Sequence, residues 1–315
     1  MSRATCLITG TTHGIGLVTA RKVAERGFRV VMACRNAARA NDVRTRMVEA
    51  TGNSDIHVLE CDLTSLASVR RCASEFKQRF DTLTLLINNA GTLSGQSRAS
   101  ADGFELTFAC NHLGPYLLTR LLLDPLISSQ PARIVTVASQ VHGSAAARLE
   151  RAARLESAAA KRNAASDFYT AAAEPLASRD YSGMRAYATS KLANVMFTLS
   201  LAEQLQDSQV TANCLHPGVV ATNIVADTNV FLRSGMKIAR YFMLDDERGA
   251  ATSVYLALSS ELEGVSGKYF NEHQRMVDPA PIVLDPAART ALWQISERLC
   301  GLASPNSVAA GPGLQ

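Results

Sequence analysis

The chain has 315 residues, of which 47% are hydrophobic and 19% charged, with a formal net charge of +4. At about 150 residues per domain the length allows two domains, although an open α/β sheet of this size is often one unit. The composition supplies a full core and excludes a disordered or fibrous chain. No apolar run reaches the ~18 residues of a membrane span, so no transmembrane anchor is expected. Without a long basic run, the small positive charge does not point to nucleic acid as a partner.

The N-terminal MSRATCLITG enters a strand-like run at once, which leaves no room for a signal or transit peptide. Seven cysteines (6, 34, 61, 72, 110, 214 and 300) are scattered without a CxxC pair, so neither a metal site nor a disulfide framework is suggested. A soluble protein of a reducing compartment, in the cytoplasm, is the expectation.

Short apolar runs alternate with helix-like stretches along the first two-thirds. The runs are Thr5–Thr9, Phe28–Cys34, Ile56–Glu60, Leu83–Ile87, Arg133–Ala138 and Val210–Leu215, and Gly267–Phe270 is a further short one. Continuous apolar runs of this length fit strands buried on both faces. Gaps long enough for a helix between them predict βαβ units, hence one α/β domain with a doubly wound parallel sheet of about seven strands. Thr64 or Ser65 is placed to cap a helix whose face carries Leu66, Val69, Cys72 and Phe76. Between about Gly103 and Ser129 an apolar helix meets Pro115, which predicts a kink. The alanine- and arginine-rich stretch 145–178 shows no clear apolar stripe. It reads as an insertion: one surface helix plus a loop carrying Phe168, Tyr169 and Tyr181, either a solvated decoration or a lid. The domain is expected to span 1–302, with 303–315 a disordered tail.

The first strand runs into Gly10-Thr11-Thr12-His13-Gly14-Ile15-Gly16, and a helix follows. Glycines there allow a tight bend, close approach of backbone N–H groups to a pyrophosphate, and close helix–strand packing. The helix N-terminus adds partial positive charge. The spacing is GxxxGxG rather than GxGxxG. The second strand ends Cys34-Arg35-Asn36, where dinucleotide sites that hold a free ribose carry an acid. Arg35 instead suits a 2′-phosphate, which favours NADP(H) over NAD(H). Tyr187 and Lys191, spaced i, i+4, share one helix face. They follow the fifth strand, which ends at Ser139, and precede Pro217-Gly218-Val219-Val220-Ala221-Thr222.

Taken together and in this order, TGTTHGIG (9–16), Asp62 in CDLTS, NNAG (88–91), Asn111, Ser139, Tyr187-x-x-x-Lys191 and PGVVAT (217–222) resemble the short-chain dehydrogenases/reductases. The phrases MACRN, DGFELTFACNHLG, SKLANVMFT and LWQISERLCGLA resemble its retinol-dehydrogenase-like branch, and light-dependent protochlorophyllide reductases are similar in several of them. The resemblance implies a Rossmann-type fold and a catalytic tetrad of Asn111, Ser139, Tyr187 and Lys191. Tyr187 would exchange the proton, its pKa lowered by the Lys191 ammonium. Ser139 would hydrogen-bond the carbonyl oxygen, and Asn111 would hold a water that relays protons to Lys191. It also implies a cofactor site. The turn residues Gly10, Thr12, His13, Gly14, Ile15 and Gly16 would take the phosphates, Arg35 and Asn36 the 2′-phosphate, and Asp62 and Leu63 the adenine. Asn88, Asn89, Ala90 and Gly91 would line the cleft, Tyr187 and Lys191 would hold the ribose, and Pro217, Gly218, Val220 and Thr222 the carboxamide. His142 reads as packing and His216 as structural, and the cysteines as small buried residues.

Ser139 and Tyr187 stand 48 positions apart, wider than the family's usual spacing, because of the insertion. The insertion directly precedes the tyrosine helix that many relatives use to dimerise, so a monomer is favoured over a homodimer. The expected activity is NADP(H)-dependent interconversion of a bulky lipophilic aldehyde or ketone with its alcohol. One alternative is a light-dependent protochlorophyllide-type reductase, against which the turn PGVVAT lacks a cysteine. Another is a cofactor-binding regulatory protein without turnover, against which both Tyr187 and Lys191 are retained.

Overall fold

The computed structural model describes residues 3–153, 157–175, 180–218 and 245–302. Seven strands, β1 (Thr5–Thr9), β2 (Arg29–Cys34), β3 (Ile56–Glu60), β4 (Leu85–Asn88), β5 (Ala132–Val137), β6 (Val210–Leu215) and β7 (Tyr269–Phe270), form one parallel sheet in the order β3-β2-β1-β4-β5-β6-β7. The order reverses between β1 and β4, which opens a crevice at the carboxyl ends of those two strands.

Side chains alternate between two cores, one on each face of the sheet. Leu7, Val31, Ala33 and Leu86 point into one; Cys6, Ile8, Val30, Met32, Leu85 and Ile87 point into the other. Burial on both faces is why these strands read as unbroken apolar runs. The second core is closed by α1 (Gly14–Glu25), α2 (Ala37–Thr51) and α10 (Asp246–Leu258). The first is closed by α3 (Leu66–Arg79), α5 (Gly114–Leu121), α7 (His142–Ala152), α8 (Ala158–Ala173), α9 (Gly183–Gln204) and α11 (Pro286–Leu299). Ser65 is the residue that caps α3, its hydroxyl accepting from the Ser68 N–H at 3.3 Å. Among the described residues no helix is long and apolar enough to cross a membrane.

The break expected at Pro115 takes the form of a π-helical turn directly before it. A short α4 (Leu106–Phe108) passes into a π-helical turn, Ala109–Leu113, before α5 begins. Pro115 sits directly after the π turn in a helix that runs on through it, and it has no N–H to give to the preceding turn. α6 (Leu123–Ser128) then leads into β5.

The insertion is not one surface helix and a loop. It forms two helices, α7 and α8, and both are packed. Ala145, Ala146, Leu149 and Ala153 are buried, as are Ala165, Tyr169 and Ala173. Tyr169 is wholly buried and donates its hydroxyl to the Met196 sulfur at 3.1 Å. Tyr181, just ahead of α9, donates to the buried Glu105 carboxylate at 2.9 Å. α9 is consequently buried at every position from Ala188 to Ala202.

Gly114 is where the π turn meets the β3–α3 connection. A Cβ there would stand 2.5 Å from the Leu63 carbonyl oxygen and 2.9 Å from the Leu63 Cβ. Backbone cannot yield as a flexible side chain would. Gly114→Ala is therefore expected to lower unfolding free energy by about 1–3 kcal/mol. A denaturant titration in which the midpoint did not move would contradict this packing.

Candidate active site

The site grows out of the crevice between β1 and β4. Gly10 turns the chain at the end of β1 with φ +72°, and a Cβ on it would meet the Ala90 Cα at 2.9 Å. A Cβ on Gly16 would collide with the Gly10 carbonyl and the Asn89 amide. The turn is thus pressed against the end of β4, and only glycine permits the approach. α1 starts at Gly14, and its N-cap residue His13 makes no side-chain capping bond, so the first N–H groups keep their donor capacity.

Two residues lock this junction. The buried Thr9 hydroxyl oxygen accepts from the backbone N–H groups of Asn89 and Ala90, both at 3.0 Å. The Asn89 amide donates to the carbonyls of Thr9 (2.8 Å) and Gly10 (3.1 Å). Asn89, expected in the cofactor cleft, uses its amide on the turn's own backbone. Asn88 points elsewhere, donating to the Thr119 hydroxyl at 2.9 Å.

At the end of β2, Cys34 is buried with its sulfur 3.1 Å from the Thr11 hydroxyl, and Arg35 is exposed. Asn36 caps α2, accepting from the Arg39 N–H at 2.9 Å. Arg39 is a cation whose place in the site its sequence position does not reveal; His13 titrates below the ordinary imidazole range through desolvation, with the Arg39 charge adding to it. Asp62 turns its carboxylate onto Thr64, accepting from the N–H at 2.9 Å and the hydroxyl at 2.7 Å, and Leu63 beside it is buried.

Gly91 joins the crevice to the tetrad. A Cβ there would come within 3.4 Å of Lys191 Nζ and 3.5 Å of Asn111 Oδ1. Lys191 is 3% exposed, and its ammonium donates to the Val137 carbonyl at 2.8 Å, at the end of β5. It stands 5.5 Å from the centre of the Tyr187 ring. Tyr187 in turn is hydrogen-bonded to Ser139. All four expected tetrad residues are thereby brought together.

Two details differ from the expectation. Tyr187 is pushed up to about 12 by desolvation, with the Ser139 hydrogen bond opposing, and Lys191 is brought down to about 8 by burial. In this arrangement the ammonium faces the strand, and the phenol is not acidified. The Asn111 side chain is also committed: it accepts from the Thr92 N–H at 2.7 Å and donates to the Thr92 carbonyl (2.9 Å) and the Ser190 hydroxyl (3.0 Å). Ser190 passes the link on by donating to the Tyr187 carbonyl at 2.7 Å. Neither Thr92 nor Ser190 stands out in the sequence, although Ser190 lies between the tyrosine and the lysine in the same motif.

Pro217 and Gly218 follow β6, with Gly218 at φ +76°; Val220 and Thr222 lie outside the described residues. His216 is buried and 3.4 Å from the Glu272 carboxylate, held below the ordinary imidazole value by burial. Six cysteines are buried and Cys110 is partly so, and all seven are free thiols.

Known proteins resemble this chain in sequence and fold. The sequence matches the family described as short chain dehydrogenase over residues 4–178 and 175–231. The chain belongs to that family. It is 36% identical to retinol dehydrogenase 14 of Mus musculus, over 96% of this chain and 87% of that protein. It is also 36% identical to the WW domain-containing oxidoreductase of Danio rerio, over 95% of this chain and 69% of that one. The crystal structure of an uncharacterized protein from Mycobacterium paratuberculosis superposes with a TM-score of 0.70 at 30% identity, covering 95% of this chain and 94% of that chain. This dehydrogenase is thus an oxidoreductase of carbonyl and alcohol groups, in a family that works with nicotinamide dinucleotides.

Thr9 tests how tightly the turn of this dehydrogenase depends on its clamp. Thr9→Val keeps the shape but leaves the part-buried Ala90 N–H without its acceptor, while the Asn89 N–H retains the Ile87 carbonyl at 3.1 Å, a loss of about 1–3 kcal/mol. Calorimetry is expected to show a lower Tm together with weaker dinucleotide binding; an unchanged Tm would remove Thr9 from the argument.

Proposed function

We propose that this dehydrogenase is an NADP(H)-dependent carbonyl reductase or alcohol dehydrogenase for a bulky lipophilic aldehyde or ketone, with Tyr187 as its acid and base. The observation that carries the reading is the unbroken line of contacts from Gly10 through Ala90, Gly91 and Lys191 to Tyr187 and Ser139. It sets a titratable phenol beside a turn suited to a pyrophosphate.

The residues present fit such a cofactor. The uncapped N-terminus of α1 offers N–H groups, and Gly91 leaves the space beside Lys191 and Asn111 clear of a side chain. Thr12, His13, Gly14, Ile15 and Gly16 would hold the phosphates and Asp62 and Leu63 the adenine. Lys191 and Tyr187 would hold the ribose, and Pro217 and Gly218, with Val220 and Thr222, the carboxamide. Arg35 and Arg39 supply positive charge at the end of β2, where the strand runs out in Cys34-Arg35 rather than in an acid; this supports NADP(H). When bound, the nicotinamide supplies or accepts the hydride.

In the reductive direction Tyr187 gives its proton to the carbonyl oxygen. Burial keeps the phenol protonated at neutral pH, so it is loaded for that step. Ser139 donates to the same oxygen as negative charge develops on it. The Lys191 ammonium stabilises the phenolate left behind. Oxidation of an alcohol runs the same transfers in reverse.

Substrate class is supported by the names of the retinol dehydrogenase relatives and by Met184. Met184 lies one turn before Tyr187, on the same side of α9, and is 56% exposed. α7 and α8 lie between Ser139 and Tyr187 in sequence, and their buried stripes favour a fixed wall over a moving lid. A monomer is supported by α9, which has no free face from Ala188 to Ala202.

Purified protein is expected to reduce retinaldehyde or other hydrophobic carbonyls with NADPH in preference to NADH. Tyr187→Phe should lower turnover by about 10²–10⁴-fold without lowering Tm. A tyrosine variant as active as the parent would sink the mechanism. The pH profile carries a sign as well. Reduction should hold steady near neutrality and fall as the pH passes about 8, where Lys191 loses its proton, while oxidation climbs as Tyr187 becomes easier to deprotonate. Steady-state rates in both directions between about pH 6 and 10 check it.

A further inference from the structure

Ser139 hangs from the chain just where β5 ends and α7 has yet to begin, so nothing in the sheet ladder fixes its orientation. The neighbouring histidine does. The Ser139 carbonyl accepts from the His142 backbone N–H at 3.1 Å and from the ring Nδ1 at 2.9 Å. On the opposite side of the ring, Nε2 accepts from the Ala280 N–H at 3.4 Å. A carbonyl can only accept and a backbone amide can only donate. The imidazole is therefore neutral, with its proton on Nδ1. Burial, which holds His142 below the ordinary imidazole range, agrees with a neutral ring.

The ring is clamped as well as bonded. Tyr269 of β7 meets it edge to face with centroids 5.0 Å apart, its hydroxyl 3.5 Å from Nδ1. On Tyr269 also lies His216, centroids 5.6 Å apart, with Glu272 beyond it. Glu150 on α7 accepts from the Ile282 N–H at 3.2 Å, which fastens the same C-terminal segment to the insertion. The end of β5 and the start of β7 thus meet at one imidazole, and the end of β6 packs against the same tyrosine.

We propose that His142 is a positioning residue for the reaction: as the Nδ1–H tautomer it pins the Ser139 carbonyl, and through it aims the Ser139 hydroxyl at Tyr187, while Nε2 ties the segment around Ala280 to the site. His142 does not touch the reacting atoms. The inference rests on the reading of Ser139 and Tyr187 as the reacting pair.

Three variants separate positioning from packing. Asn places an amide N–H near the position of Nδ1, Gln reaches only toward that of Nε2, and Ala supplies neither. His142→Ala should lower kcat by about tenfold, with the NADPH KM within about twofold of the parent. His142→Asn should restore most of that loss, and His142→Gln should not, at similar Tm. Equal rescue by Asn and Gln, or full kcat in the Ala variant, overturns the proposal. Nitrogen-15 spectra of the cofactor-free protein read the tautomer whatever the turnover: a neutral Nδ1–H ring supports it, and an Nε2–H ring or an imidazolium overturns it. Tyr187→Phe, measured alongside, reports on the acid alone. Full activity in that variant would strike the proposed function, while the spectra would still decide for or against His142.

Discussion

A cation withdrawn from water must find compensation, and the ammonium of Lys191 finds it in a single backbone carbonyl, that of Val137. This contact sets the geometry of everything near it. It requires α9 to cross the end of β5, and so brings Tyr187 to Ser139. Position 91 lies against the same groups, where even a methyl group would rest in ordinary contact with both Lys191 and Asn111. The polar links around it are each made once and fully used: Asn111 to Thr92 and Ser190, Ser190 to Tyr187. A buried network satisfied in this way holds one arrangement rather than several.

The glycine turn is governed by a different constraint, that of close approach. Gly10 and Gly16 let β1, α1 and the end of β4 come together more tightly than any side chain would allow, and Thr9 and Asn89 fasten them there. The turn is thereby rigid from inside the protein, leaving the outward N–H groups of α1 as its chemically available face.

Much of this was legible in the sequence. Strands buried on both faces leave continuous apolar runs, so all seven were visible, β7 as a two-residue remnant of a longer run. The insertion was not legible, because its buried stripes are largely alanine in stretches where alanine also fills exposed positions. A helix gives itself away by contrast between faces, and Ala145, Ala146 and Ala165 offer none. The tetrad could be named from the family resemblance, but its electrostatics could not. Whether an ammonium acidifies a phenol depends on where each points and how deeply it is buried, and here desolvation prevails. Partners such as Thr9, Thr92 and Ser190 were invisible for a simpler reason: a hydroxyl's role is set by what folds against it.

α9 carries both Tyr187 and Lys191, and its long apolar stretch is enclosed by α7, α8 and α11 from the same chain. Where a neighbouring subunit supplies such an enclosure, dilution can strip it away. Here the covering is tethered covalently, so the alignment of the reacting groups is insensitive to how many copies of the molecule share the solution.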